Sequence, residues 1–342
     1  MSKFTRRHKY KRRQYELRRL WRLLHKKKRK KRCKFKKPKN FYQLIAPVDF
    51  RLLKNTSQCV AFFNLMRSQK KAICLPTGQL IQRVDLYHIK HVDFASTIML
   101  QAIGDELRQQ TPSCSCPGRL PKNQLCAQYF KDSGFLNSKV NGAGVPFGIS
   151  LASERMTFER GHDKLKTEEI RRICNIIKHT ASLLTGKERS NYRQTEMIKE
   201  ICANTVRWSK AFNSQWIFGA KYEDNKVVFV ALDLGCGILE SLYRNYYERI
   251  RDRLINMTDQ AVLEGAFDKK YQSSSIERNR NLGLPSIKQT QKDGFVKNLQ
   301  VISNNVILDF DNPSNSKTFM RDKQNAFNGT LYSWRVFADC YK

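Results

Sequence analysis

The stretch from Val227 to Gly237 reads Val-Val-Phe-Val-Ala-Leu-Asp-Leu-Gly-Cys-Gly. Its first residues are apolar and either β-branched or aromatic, which is typical of a buried β-strand. The strand runs directly into Asp233-Leu234-Gly235-Cys236-Gly237. A carboxylate at a strand end, followed by two glycines, offers an acceptor beside a backbone that a ligand can approach closely. Ordinary turns use the same residue types, so the motif gains meaning only from its surroundings.

Apolar patterns on both sides of this stretch predict further elements. Two amphipathic helices are expected upstream, over Thr167 to Thr185 with Gly186 as its stop, and over about Glu196 to Ala211. Runs of β-branched and aromatic residues predict the strands Gln215 to Ala220, Val227 to Ala231, Val296 to Val301, Val306 to Asp309 and Thr330 to Phe337. Together these strands would complete a sheet.

Two further motifs flank the Asp-x-Gly-x-Gly stretch. Glu200 and Asn204 are four residues apart on the second predicted helix, so both side chains project from one helical face. The alternative interpretation is a polar pair on a solvated surface. A polar tract of about 40 residues follows Gly237 and ends in Arg278-Asn279-Arg280-Asn281-Leu282-Gly283-Leu284. A backbone turn that opens a helix there would leave free N–H groups, which bind phosphate.

The order of the three motifs resembles that of the GHKL ATPases, which include histidine kinases, gyrase, heat-shock chaperone ATPases, mismatch-repair ATPases and anti-sigma-factor kinases. The resemblance covers about residues 165–340. It implies a Bergerat-type α/β sandwich that binds ATP and Mg²⁺. By this resemblance Glu200 is the catalytic residue that orients and deprotonates water, and Asn204 is the Mg²⁺ ligand.

The same resemblance implies roles for the remaining motif residues. Asp233 would accept a hydrogen bond from the adenine amino group, and the Thr330 hydroxyl would lie near the adenine. Gly235 and Gly237 would form the first glycine box. Gly283 and Leu284 would belong to the second glycine box, at the hinge of the lid.

The chain departs from the family pattern at two points. Asn279 and Asn281 stand where the second box usually has glycines, although Asn tolerates positive φ better than most residues. Trp208 stands where the family often has His or Lys, four residues beyond Asn204. Phosphate contacts are then expected from Arg278, Arg280 or Lys288.

Residues 41–155 are expected to form a separate, small α/β domain, and residues 156–342 the ATP-binding domain. The first of these should contain a strand over Phe41 to Ile45 and a helix over Thr56 to Arg67. A strand over Leu80 to Tyr87 and a helix over Phe94 to Gln109 should follow. The stretch from Leu80 to Gln109 resembles the STAS-like signalling domains in its order of strand, short loop and amphipathic helix. That likeness implies a regulatory domain of the kind found in bacterial partner-switching proteins.

Two features of the first domain have ordinary explanations. Ser96 follows Asp93 by three residues, whereas phosphorylated STAS-like members carry an Asp-Ser pair, so Asp93 is interpreted as a helix cap. Cys114 and Cys116 with the distant Cys126 lack a fourth well-spaced ligand and do not match common zinc sites.

The charge is concentrated at the N-terminus. The formal net charge is +34, and residues 1–40 contain 21 Lys or Arg against one acidic residue, Glu16. This basic arm predicts nucleic-acid binding through phosphate contacts. Leu17, Leu20, Trp21 and Leu24 fall on one face of a short helix, so a membrane surface or a partner protein are alternatives, as is a solvated tail.

Composition restricts the remaining possibilities. No run of 18 apolar residues exists, so no membrane-spanning helix is expected. The first residues lack an apolar segment ahead of a small-residue cleavage site, so secretion by that route is not expected. The scattered cysteines predict reduced thiols in a cytoplasm.

Three functional hypotheses stay open. The first is an ATP-binding switch or ATPase whose lid closure changes a contact with a regulatory protein or nucleic acid. The second is an anti-sigma-type Ser/Thr or His protein kinase. The third is a non-enzymatic, basic nucleic-acid-binding protein with a degenerate ATP site, against which Glu200, Asn204 and Asp233 argue. His179 lacks the acidic neighbour of a phosphoacceptor histidine and is interpreted as a surface residue.

Overall fold

Helices and short strands alternate in the first part of the chain. The computed structural model describes residues 43–137, 139–147, 156–162, 165–208, 215–244, 257–268, 283–320 and 326–341. The strands up to residue 147 are β1 (Gln43–Ile45), β2 (Asp49–Phe50), β3 (Ile73–Cys74), β4 (Leu80–Ile81), β5 (Arg83–Asp85), β6 (His91–Val92), β7 (Cys114–Ser115) and β8 (Gly118–Arg119). The helices of this part are α1 (Thr56–Arg67), α2 (Phe94–Gln110) and α3 (Gln124–Asp132).

One large antiparallel sheet organises the rest of the chain. Its strands are β9 (Met156–His162), β10 (Gln215–Glu223), β11 (Lys226–Asp233), β12 (Lys297–Asn304), β13 (Val306–Asp309), β14 (Lys317–Thr318) and β15 (Phe327–Val336). They lie in the order β14-β13-β12-β15-β11-β10-β9, and each neighbouring pair is antiparallel. The predicted α/β class is confirmed, whereas the Bergerat-type and STAS-like architectures stay predictions.

Helices cover one face of this sheet. They are α4 (Thr167–Thr185), α5 (Tyr192–Trp208), α6 (Asp259–Phe267) and α7 (Gly283–Lys292). Gly186 ends α4 in the left-handed conformation, with φ 72°, as the sequence predicts. The core beneath these helices contains a stack of three rings, in which Phe229 lies 5.6 Å from Phe218 and 5.4 Å from Trp334 between ring centroids.

The first part of the chain covers the opposite face. Successive residues of a strand point to opposite sides, so Phe229 and Ala231 face the helices while Val230 and Leu232 face the other way. Val230 and Leu232 join one apolar cluster with residues of α1 and α2. Both faces of the central strands are therefore buried, which explains why β11 is an almost continuous apolar run.

The described residues from Gln43 onward form one compact unit. The domain boundary expected near residue 155 lies outside the described residues and stays a prediction, as does everything proposed for the basic arm. No helix in the described ranges is long and apolar enough to cross a bilayer.

Most predicted elements are present, with different ends. The helices over Thr56–Arg67 and Thr167–Thr185 begin and end where the sequence predicts. The single strand expected over Leu80 to Tyr87 is instead two short strands, β4 and β5, which pair with different neighbours. Gln82 lies between them, fully buried, and its Nε2 donates to the Met66 carbonyl.

The Asp93 cap is confirmed. The Asp93 carboxylate accepts from the Ser96 backbone N–H at 2.8 Å at the start of α2. Ser96 is fully buried, and its one hydroxyl hydrogen has two acceptors within reach, the Asp93 carboxylate and the Phe50 carbonyl. Ser96 is thus a structural residue of the junction between α2 and the preceding strands.

Candidate functional site

Asp233 is the last residue of β11, and it faces the side of the sheet that the helices cover. Its Oδ1 accepts from the Gly235 backbone N–H at 2.9 Å. Thr330 is its cross-strand partner on β15 and also bonds to the carboxylate. Burial nevertheless raises the pKa of Asp233 to about 6, because desolvation of the charged form outweighs these bonds. The structure therefore brings two predicted residues, Asp233 and Thr330, into one hydrogen-bonded pair.

Ser303 extends this pair into a polar row that the sequence does not predict. It is the partner of Thr330 on β12, so Asp233, Thr330 and Ser303 are aligned across three neighbouring strands. The buried Ser303 hydroxyl accepts from the Ile238 backbone N–H at 2.8 Å. Only the strand register reveals this alignment, because the three residues are far apart in sequence.

The two glycines of the loop after Asp233 differ in what the structure asks of them. Gly235 donates its backbone N–H to Asp233, as most residues could at that position. Gly237 has φ 83°, which favours glycine. A Cβ at Gly237 would also collide with the side chain of Asn304.

Asn304 holds the same loop by its side chain. Its Oδ1 accepts from the N–H groups of Leu239 and Glu240, at 3.1 and 3.3 Å, where a helical stretch begins. Its Nδ2 donates to the Cys236 carbonyl at 2.8 Å. Asn304 was not predicted as a site residue; the only signal in the sequence is an Asn at a strand end, where the residue adopts φ 54°.

Glu200 and Asn204 form a second group, on the same helix-covered side. Both lie on α5 and next to Gly283, the first residue of α7. A Cβ at Gly283 would lie 2.6 Å from Glu200 Oε2 and 3.3 Å from Asn204 Nδ2. The structure therefore brings together two motifs that are some 80 residues apart in the sequence. Asn204 Nδ2 is buried and has no hydrogen-bond partner among the described residues.

Other residues that the sequence singles out have different positions. Leu284 packs on the apolar core beneath the helices. Lys288, one of the three residues expected to contact phosphate, instead forms an ion pair with Asp268 at 2.5 Å. The other two, Arg278 and Arg280, lie outside the described residues together with Asn279 and Asn281.

The three cysteines considered for a zinc site, and His179, lie outside the groups of residues described above. Cys116 is exposed and hydrogen-bonds the buried Cys114, while Cys126 is buried on α3. In the ranges that the structure describes, no three His, Cys, Asp or Glu side chains gather as a metal site. His179 is exposed, as predicted, and its ring meets that of Tyr222 edge-on at 5.1 Å.

A cavity of about 420 Å³ adjoins the loop after Asp233. Gly235, Cys236, Glu240 and Asn328 are among its lining residues. This volume lies within the range of small-molecule sites. The loop thus has the Asp233 carboxyl at its start and an open cavity beside it.

No protein-family model matches the chain, and no curated protein matches it either.

Proposed function

We propose that the chain is a Mg²⁺-dependent ATP-binding protein of the GHKL type that hydrolyses ATP as a switch acting on a protein or nucleic-acid partner. The observation that carries the proposal is the hydrogen-bonded pair of Asp233 and Thr330 at the end of two central strands. A carboxylate beside a hydroxyl suits the edge of an adenine, because the carboxylate accepts a hydrogen bond from the amino group. The pair faces the same side of the sheet as Glu200 and Asn204.

The second group fits the phosphate and metal end of the nucleotide. Asn204 has an orphaned buried amide, and such groups are normally satisfied. The oxygen and nitrogen of an amide are interchangeable by rotation, so its oxygen is available as a ligand of the kind that Mg²⁺ prefers. When bound, Mg²⁺ supplies positive charge that neutralises the phosphates.

Glu200 has the chemistry of a general base in this arrangement. Its carboxylate lies beside the first residue of α7, close to the Asn204 amide. A carboxylate that accepts a proton from water makes that water a better nucleophile. Glu200 would therefore orient the attacking water, while the start of α7 contributes backbone N–H groups toward the phosphates.

A binding and turnover assay with labelled ATP tests the proposal. Asp233→Ala should weaken ATP binding about 10- to 150-fold, the value of one hydrogen bond to a charged group, roughly 1.5–3 kcal/mol. Glu200→Ala should keep ATP binding and lose release of free phosphate, because a positioned base acts on the reacting state. Unchanged affinity in folded Asp233→Ala would refute the site. Label on the protein instead of free phosphate would favour the kinase hypothesis.

A further inference from the structure

Arg67 is the last residue of α1, yet its guanidinium reaches the loop and strand that carry Asp233 and Thr330. Nη2 donates to the Leu234 carbonyl at 3.0 Å, and Nη1 donates to the Asn328 carbonyl at 2.7 Å. Leu234 directly follows Asp233, and Asn328 lies two residues before Thr330. One side chain from the first part of the chain therefore bridges the backbones of the two segments.

Glu106 of α2 fixes the orientation of this guanidinium. Its two carboxylate oxygens accept from Nε and Nη2 of Arg67, each at 2.7 Å. Both side chains are mostly buried, with 18% of Arg67 and 16% of Glu106 exposed. A planar guanidinium with fixed donors can serve a carboxylate and two carbonyls together, which the single ammonium of lysine cannot do in the same geometry.

Other side chains of α1 follow the same pattern. Ser57 Oγ donates to the Phe319 carbonyl at 2.8 Å, and Asn64 Nδ2 donates to the Ala326 carbonyl at 3.0 Å. With Arg67, these residues form a row of donors along α1 to backbone carbonyls of the segments on either side of residues 321–325. The helix is therefore attached to the segment that leads into β15.

We propose that Arg67 is a positioning residue that sets the spacing of Asp233 and Thr330, and so determines how well the site recognises the adenine amino group. This inference rests on the proposed function. Arg67 does not touch the base; it acts through the carbonyls of Leu234 and Asn328. A small shift between the two backbones would separate the carboxylate from the hydroxyl while leaving the phosphate end, at Glu200 and Asn204, unchanged.

Comparison of ATP with inosine triphosphate isolates this effect, because the inosine base lacks the amino group. The wild type should bind ATP about 10- to 150-fold more tightly, and Asp233→Ala should remove the preference. Arg67→Lys should lower the ratio of the two affinities at least about fivefold, with little change in the affinity for inosine triphosphate. A general loss of structure would instead lower the affinities for ATP and for inosine triphosphate by the same factor.

Arg51→Lys is the matched control. Arg51 pairs with Asp49 through two bonds of 2.7 Å, and within the described ranges it makes no hydrogen bond to the loop after Asp233. The ratio of the affinities for ATP and inosine triphosphate should stay at the wild-type value in Arg51→Lys. If Arg67→Lys also keeps the wild-type ratio while Asp233→Ala loses the preference for ATP, the role of Arg67 is overturned and the proposed function stands. Absence of ATP preference in the wild type would overturn both.

Glu106→Gln provides a second test should Arg67→Lys fail to fold. Glutamine keeps the size of the side chain but loses the charge that orients the guanidinium. The ratio of affinities should fall in this variant too, by less than in Arg67→Lys. An unchanged ratio in folded Glu106→Gln would count against the proposal.

Discussion

Asp233 accepts hydrogen bonds from two residues, Gly235 and Thr330, yet it holds its proton to a higher pH than a free aspartate. The donors favour the charged form, but burial disfavours it more strongly, and the net result is a pKa of about 6. The pKa of such a carboxyl changes whenever its burial or one of its hydrogen bonds changes. With a pKa of about 6, Asp233 is mostly ionised at neutral pH, and it is then an acceptor for the hydrogen bonds from Gly235 and Thr330.

The raised pKa of Asp233 predicts a pH-dependent stability. The protonated form is favoured in the folded chain, so its contribution is complete below pH about 4 and is lost as the pH rises through about 6. The loss for this group is roughly 3 kcal/mol. Asp233→Asn should therefore gain stability relative to the wild type between pH 4 and 7, measured by urea unfolding at each pH.

Asp49 should change the unfolding free energy with pH in the opposite direction to Asp233. The hydrogen bond from Arg51 lowers the pKa of Asp49, so that its contribution is present above the unfolded pKa and is lost as the pH falls. Asp49→Asn should therefore be less stable than the wild type at neutral pH, with the difference shrinking in acid. A constant difference between Asp233→Asn and the wild type across the range would show that Asp233 ionises normally.

Site residues that belong to a sequence motif could be predicted, whereas those that reach the site only through the fold could not. Asp233 and Gly237 stand in a short local pattern, and Thr330 was singled out by the resemblance to the GHKL ATPases. Ser303 and Arg67 could not be found in this way, because their contacts depend on strand register and on bonds across 167 and 261 residues. Such contacts are settled by packing of the whole chain.

At the level of elements, the contact between α5 and α7 joins two motifs of the candidate site. Gly283→Ala should displace Glu200, because the new Cβ would lie 2.6 Å from its Oε2. A partly exposed carboxylate can rotate away, so the unfolding free energy should change by less than ~1 kcal/mol. The release of phosphate from ATP should fall at least about 10-fold, since Glu200 leaves its position.

Gly104→Ala is the control for this variant. Gly104 lies inside α2, and a Cβ there meets no atom within 4 Å. Alanine is the better helix former, so this change should raise the unfolding free energy by ~1 kcal/mol and leave turnover unaltered. Wild-type turnover in Gly283→Ala would mean that the position of Glu200 does not matter for the reaction.

The long helix α4 was predicted with both of its ends, whereas α5 begins at Tyr192, four residues before the predicted start at Glu196, and most of the short strands were not predicted. The apolar period of α4 extends over five turns and ends at Gly186, so both ends are marked in the sequence. Strands of two or three residues, such as β4 and β5, are too short to show alternation. Their existence depends on partners such as β7 and β8, which lie more than 30 residues away.

At the level of the whole molecule, the basic arm and the nucleotide site are separate predictions. Removing residues 1–39 should abolish salt-dependent nucleic-acid binding and spare ATP binding, because all predicted ATP-site residues lie beyond residue 199. With six to ten phosphates contacted, affinity of the full chain should fall ~10³- to 10⁵-fold between about 50 and 200 mM salt. Anisotropy titrations of both proteins against DNA and RNA measure this.

Anionic vesicles complete the comparison. Vesicle binding without nucleic-acid binding would favour the apolar face of Leu17, Leu20, Trp21 and Leu24 as a membrane-surface anchor. Equal nucleic-acid binding by the truncated protein would assign the contact to residues beyond the arm, where the remaining net charge is still positive.

β15 pairs with β11 on one side and β12 on the other, although it comes last among the described strands. During translation, β11 therefore leaves the ribosome about 90 residues before the strand that must cover its open edge. At ~5–20 residues per second, the nascent chain exposes an apolar, unpaired strand edge for roughly 5–20 s. Such an edge is a template for pairing with other chains, so we expect this protein to be most prone to aggregation while it is being synthesised.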